Sequence, residues 1–209
     1  MSSDTGLNTS QTLLDRVGSD DHEAWTLFVR LYGPVIYSWC RNAGLQGSDV
    51  EDVGQEIFHL VSKKLSAFEA GRKSSGAFRS WLWGISRLQI LDHLRQRARQ
   101  PVGQGGTEHN LCLHRLEQTD GEPESIHGVT PQQVLLKSAI DMLKSEFDSR
   151  TWQVFWEMAV KGRPAKDVGE EHEMTAKAVR QAKFRVTKKL RELLSDDLPE
   201  LVNMQMAQP

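Results

Sequence analysis

The sequence predicts an all-α protein built as two small helical domains joined by a flexible linker. Three observations carry this. Apolar residues recur at spacings of three and four through most of the chain, the period of an amphipathic helix, and alternating strand patterns are nearly absent. Cap signatures punctuate that period at Ser48-x-x-Glu51 and at Thr130-Pro131-Gln132-Gln133. Between the two periodic blocks, Pro101 to Val129 breaks every period with Gly103, Gly105, Gly106, Gly121, Pro123 and Gly128.

In chain order, Asp20 to Asn42 is the first helix. It carries Trp25, Phe28, Leu31, Val35 and Trp39 on one period, and Gly33-Pro34 predicts a kink or a split. The second helix opens at Gly47-Ser48 and runs to about Phe68, burying Val50, Val53, Ile57, Leu60, Val61 and Leu65. A polar loop from Glu69 to Gly76 leads into a third helix, Ala77 to Arg99, with Phe78, Trp81, Leu82, Ile85, Leu88 and Leu91. These three can enclose one core. In the linker, a helical turn around Leu111–Leu116 is the one element expected. Helices then follow near 131–147, 149–161, 164–172 and 175–195, and the tail after Pro199 has no clear pattern.

A formal net charge of −2 conceals a strong segregation of charge. Residues 1–62 carry Asp4, Asp15, Asp20, Asp21, Glu23, Asp49, Glu51, Asp52 and Glu56 against Arg16, Arg30 and Arg41. Residues 72–99 reverse the sign, with Arg72, Lys73, Arg79, Arg87, Arg95, Arg97 and Arg99 against Asp92. Local sign of this kind steers partners. Thr175 to Arg191 is basic again, with Lys177, Arg180, Lys183, Arg185, Lys188, Lys189 and Arg191 and no acid, while Val179, Ala182, Val186 and Leu190 keep a helical period. A short helix before it, a tight connection at Glu173-Met174 and a Thr cap make the pair a helix-turn-helix aimed at DNA.

The order of motifs carries a resemblance. Asp49–Phe58 reads D-V-E-D-V-G-Q-E-I-F, Phe78–Ile85 reads F-R-S-W-L-W-G-I, and Leu91–Arg99 reads L-D-H-L-R-Q-R-A-R, with a linker and a basic helix-turn-helix after them. This resembles an extracytoplasmic-function (ECF-type) sigma factor, the smallest architecture of the promoter-recognition subunits of bacterial RNA polymerase. Residues 12–99 correspond to sigma region 2 and 130–195 to region 4. Leu88 stands where the family often has Asn, and Gly169 and Glu173 stand where Ala and Gly are common.

The resemblance implies domains at 1–99 and 130–198, a linker at 100–129 and a tail at 199–209. It implies core RNA polymerase as partner, through the largest-subunit clamp helices and the flap, with Asp49, Asp52, Gln55, Glu56 and Phe58 as the docking residues. It assigns the −10 element of promoter DNA to Arg79, Trp83, Arg87 and Arg95, where an aromatic face would stack on an unpaired base and cations would hold phosphates; the 69–76 loop would receive an extruded base. For Trp81 core packing is the expected role. It assigns the −35 element to Thr175, Lys177, Arg180, Gln181 and Arg185, Arg to guanine and Gln to adenine being bidentate pairings. An anti-sigma factor is a further partner of the family.

No catalytic constellation is expected. Glu56-x-x-His59 matches half of a di-metal carboxylate site, without the second copy such a site needs. His109, Cys112 and His114 are soft-metal ligand types without a fourth, so no metal and no cofactor are expected. The G-x-x-x-x-G-K-[ST], H-E-x-x-H and G-x-S-x-G patterns do not occur. Two cysteines make no disulfide framework, and Cys40 reads as a packed small hydrophobe. No apolar run approaches the roughly 20 residues of a membrane span, and Met1-Ser-Ser-Asp-Thr-Gly lacks the features of a signal peptide, so a cytoplasmic, non-enzymatic protein is expected. The rival reading is a stand-alone helix-turn-helix regulator, which leaves Asp49–Glu56 and Phe78–Arg99 without a role.

Overall fold

The computed structural model describes residues 10–19, 21–71, 77–98, 106–118, 121–123, 125 and 128–194. Among these, nine helices and no strand occur: α1 (Ser10–Gly18), α2 (His22–Asn42), α3 (Ser48–Gly71), α4 (Ala77–Ala98), α5 (Gly106–Gln118), α6 (Pro131–Lys144), α7 (Ser149–Ala159), α8 (Ala165–Glu171) and α9 (Ala176–Leu194). The chain divides into two compact units. Among the described residues, one is Leu14–Leu135 and the other holds residues 136–194. Residues 72–76, to which most of the expected base-receiving loop belongs, and the tail after 199 lie outside the described residues.

In the first unit, α2 is launched by Asp21, whose carboxylate accepts from Glu23 N and Ala24 N at 3.0 Å each. The Ala24 amide bond, followed by the hydrogen bond from Arg16, holds this carboxyl below the usual carboxylate range. Of the kink or split expected at Gly33-Pro34, the split does not occur: α2 runs as one helix through Pro34. Pro34 lies on the exposed side, while Leu31, Tyr32, Val35 and Ile36 are buried on either side of it. Tertiary packing there outweighs the local cost of one missing amide.

The core of this unit is aromatic. Phe28 is fully buried, with ring centroids 4.9 Å from Tyr32, 5.4 Å from Trp25, 5.8 Å from Phe78 and 6.1 Å from Phe58. Three helices thus share one cluster: α2 gives Trp25, Phe28 and Tyr32, α3 gives Phe58, and α4 gives Phe78. Val53, Ile57, Val61 and Leu65 of α3 complete it from one side, and Leu82, Ile90 and Leu94 of α4 from another. Helix α3 begins after Gly47, which takes φ 54°, and Ser48 is its first helical residue rather than its cap.

The linker differs from expectation. Residues 106–118 form a full helix, α5, longer than the expected turn at 111–116, and it packs against α4. The restart at Thr130 is as the motif requires: Thr130 Oγ1 accepts from Gln133 N at 3.2 Å, and Gln133 Oε1 accepts from Thr130 N at 2.8 Å. Pro131 is the first residue of α6.

In the second unit, Val154 of α7, Val168 of α8, and Val179 and Ala182 of α9 are completely buried against one another, with Met158, Ala165 and Met174 packed on their edge. Asp148 caps α7 by accepting from Thr151 N at 2.8 Å, which lowers its pKa. Glu157 near the end of α7 accepts from Lys161 Nζ (2.6 Å) and Arg163 Nη1 (2.9 Å), and Arg163 also reaches Glu171 at 2.7 Å. The Lys161 bond first, and then that of Arg163, hold Glu157 below the usual glutamate range. A depressed carboxyl stabilises the fold above its unfolded pKa, and that contribution is lost as pH falls through the folded value. We therefore expect the urea midpoint of this unit to fall on acidification below roughly pH 4, and to fall less steeply in Glu157→Gln, whose midpoint at neutral pH is already lower. Equal pH slopes in the two proteins would refute this role.

Candidate functional site

Three surfaces hold the candidate residues. The first is the acidic stripe of α3. Asp52, Gln55 and Glu56 are exposed, one turn apart on the same side. Like charges at this spacing cost an isolated helix a few tenths of a kcal/mol per pair, a cost that a basic partner would reverse. Asp49 is not free to join them: its carboxylate is paired with Arg97 and lies 3.6 Å from His93 Nε2, both on α4. Phe58 is half-buried, packed edge-on against Trp25 (6.0 Å) and Phe28 (6.1 Å). The exposed stripe is thus shorter than expected, with Asp49 bracing α3 to α4 and Phe58 anchoring α3 in the core.

The second surface is α4. Trp83, expected to offer its face to a base, is 3% exposed and packs edge-on against Trp39 at 5.3 Å. That expectation is corrected: a ring buried between α2 and α4 cannot stack on a nucleotide. Its spacing of four from Arg79 and Arg87 suggested a shared outer side, but Trp39 of α2 fills the space opposite. Trp81 is half-buried, 4.9 Å from Phe68 and 5.5 Å from Phe78. Of the large apolar side chains on α4, Leu88 stands out as exposed (56%).

Three arginines of α4, Arg79, Arg87 and Arg95, are engaged by residues that follow it in the chain. Arg79 Nε donates to Glu122 Oε2 at 2.7 Å, with both side chains only 14% exposed. Arg87 donates from Nε to the Leu116 carbonyl (2.8 Å) and from Nη2 to the Glu117 carbonyl (2.9 Å). Arg95 Nη2 donates to Glu117 Oε1 at 2.7 Å, and its other terminal nitrogen lies 3.8 Å from Asp92.

The third surface is the pair α8–α9. The turn between them is set by backbone geometry: His172 N bonds to Val168 O (3.0 Å), Met174 N to Gly169 O (2.8 Å), and Glu173 takes φ 53°. A left-handed residue suits glycine best. Here Arg150 of α7 steadies it, donating to the carbonyls of His172 and Glu173. Gly169 is required by contact rather than by φ, because a Cβ on it would lie 2.6 Å from the Met174 carbonyl oxygen.

Thr175 then caps α9, its Oγ1 accepting from Ala178 N at 3.2 Å. Val179, Ala182 and Val186 are buried; Lys177, Arg180 and Gln181 are exposed. Arg185 is exposed as well, but leans toward α7 with Nη2 3.4 Å from Thr151 Oγ1. Sequence reasoning missed Phe184, which is 60% exposed. At about 100° per residue it falls between Lys177 and Arg180, opposite the buried stripe. The signal was present, since position 184 lies off the 179–182–186–190 core period.

Among the described residues, no three His, Cys, Asp or Glu side chains gather as a metal-sized group, and no helix is long and apolar enough to cross a membrane. The side chain of His109 lies outside the described residues. Compared with known proteins, residues 28–100 match the family model for Sigma-70 region 2. That span holds most of α2, the acidic stripe of α3 and the arginines of α4. It is therefore similar to the part of an RNA polymerase sigma factor implied by the motif order. No curated protein matches the chain.

Proposed function

We propose that this protein is an ECF-type sigma factor: it binds core RNA polymerase, brings it to promoters and assists opening of the −10 region, while the polymerase performs the chemistry. The observation that carries this is the combination, in one chain, of a Sigma-70 region 2 match over residues 28–100 with a tight-turned helix pair, α8–α9, whose outer face is basic. In this reading Asp52, Gln55 and Glu56 dock on the polymerase clamp. Arg79, Arg87 and Arg95 hold the phosphates of the single-stranded −10 region, and base contacts come from residues other than Trp83. Residues 14–98 act as region 2 and α6–α9 as region 4, bound to the −35 element through the outer face of α9. Each DNA contact is weak alone, and tethering makes the second effectively intramolecular.

Arg180 and Gln181 supply bidentate hydrogen bonds to base edges in the major groove, and Phe184 at the centre of the face suits a thymine methyl. Phe184→Ala should weaken binding to a cognate −35 duplex by roughly tenfold, which corresponds to about 1.4 kcal/mol. It should leave non-specific duplex affinity, a phosphate-charge property, nearly unchanged. Equal loss on both duplexes would remove Phe184 from base readout.

The functional test is transcription in vitro of genomic DNA from the source organism by core polymerase plus this protein, with the 5′ ends sequenced. Start sites sharing two spaced upstream elements are expected, and Arg180→Ala with Gln181→Ala should scatter the upstream one. No start sites beyond those of core polymerase alone would reject the reading.

A further inference from the structure

The oxygens that meet the α4 arginines have the chemistry of a nucleic-acid backbone. Arg79, Arg87 and Arg95 are met by the Glu122 carboxylate, the Leu116 and Glu117 carbonyls and the Glu117 carboxylate, all within 2.7–2.9 Å. The two carboxylates bring negative charge and the two carbonyls bring neutral acceptors, and phosphate oxygens would accept from the same guanidinium groups at this distance with charge at every contact. The contacts come from Leu116 and Glu117 at the end of α5 and from Glu122, lying 22 to 43 positions from the arginines in sequence.

We propose that α5, together with Glu122, is an intramolecular cover on the basic face of α4, which exchanges with single-stranded nucleic acid for the same three arginines. The inference rests on the sigma reading for the identity of that strand. The cover is built to be displaceable. Its Arg95–Glu117 pair is exposed, with side-chain exposures of 47% and 38%, and exposed pairs hold weakly. The Arg79–Glu122 pair is the sheltered one and acts as the latch. Arg87 also accounts for the end of α5, since it satisfies two carbonyls that the last helical turn leaves without intrahelical partners. A strand that takes Arg87 would therefore also loosen the helix it caps. Free protein would be kept from holding single strands indiscriminately, and the face would open where promoter melting supplies a strand.

The chain carries its own reporter of this motion. Cys112 of α5 is half-buried over the turn after α2, where a Cβ on Gly44 would lie 3.7 Å from its sulfur. Cys40 is buried, and burial pushes its thiol up to about 12, so it stays silent. The experiment measures alkylation of Cys112 by an uncharged maleimide, read by mass spectrometry, on the full-length chain. It compares wild type with Glu117→Gln/Glu122→Gln, each with and without a single-stranded oligonucleotide and with and without core polymerase. Glu51→Gln/Glu146→Gln serves as a control of equal charge change away from α4.

The Glu117→Gln/Glu122→Gln variant should raise the Cys112 rate roughly threefold or more, and oligonucleotide should raise it in wild type. The same variant should bind the oligonucleotide severalfold more tightly than the charge control does. A Cys112 rate unmoved by both variant and oligonucleotide would overturn the proposal. So would a released α5 without a gain in oligonucleotide affinity over the control. Failure to bind core polymerase would instead reject the sigma reading, and the oligonucleotide arm on free protein would still decide the cover.

Discussion

If α9 reads duplex DNA as proposed, Gly169→Ala is expected to abolish its sequence-specific binding. The added Cβ would sit 2.6 Å from the Met174 carbonyl oxygen, a backbone atom that no rotamer change can move aside. Either α8 separates from the turn or the turn distorts, and overpacking of this kind costs about 1–3 kcal/mol, or more where the backbone must shift. The same displacement breaks the Met174 N to Gly169 O bond and tilts α9 against Val168. Binding to the −35 duplex should fall by roughly a hundredfold or more, as a few kcal/mol implies. Interaction through Asp52 and Glu56 should persist, because they belong to the other unit. A duplex-shift assay beside a polymerase-binding assay reads both. Wild-type duplex affinity in Gly169→Ala would show that the α8–α9 contact is not what orients α9.

Phe28→Ala should be the most damaging single change in the first unit. Phe28 has no exposed surface and touches four other aromatic rings contributed by α2, α3 and α4. Truncating such a ring removes burial and leaves a cavity, a loss of about 3–5 kcal/mol, before the edge-to-face terms are counted. Domains of this size are stable by about 5–15 kcal/mol, so a large fraction of the stability goes. Thermal unfolding followed by circular dichroism should show the first unit melting well below wild type, with the second less affected. A melting curve within a degree or two of wild type would contradict the placement of the aromatic cluster at the centre of the core.

The contrast between α6 and α5 explains what could be read from sequence. Thr130 and Gln133 cap α6 with each other, three residues apart, so a short window contains the whole device. Helix α5 opens at a glycine, and its last carbonyls are satisfied by Arg87, which stands about thirty residues earlier. No local pattern announces such a partner, and glycine-rich surroundings read as linker. Pro34 differs in the opposite sense: the local rule allows a split, and packing on both sides keeps α2 one helix.

The candidate site divides the same way. Lys177, Arg180 and Gln181 could be assigned to an outer face because α9 alone fixes that face. Trp83, Asp49 and Phe58 could not, because Trp39, Arg97 and Trp25 on neighbouring helices decide where they point. Charge type identified α4 as the basic helix, yet only the tertiary structure shows that Arg79 and Arg95 already have anionic partners and Arg87 two carbonyls.

If the exposed α3 stripe makes this chain a polymerase subunit, reversing its charge must break that partnership. The most direct measurement is co-elution of the purified protein with core RNA polymerase on a sizing column, wild type beside Asp52→Lys/Glu56→Lys. Both side chains are exposed, so the charge reversals should leave the fold intact, as circular dichroism would verify. We expect wild type to co-elute and the double variant to run free. Wild-type protein that fails to join the polymerase, yet shifts duplex DNA on its own, would contradict the account and make the chain a stand-alone helix-turn-helix regulator.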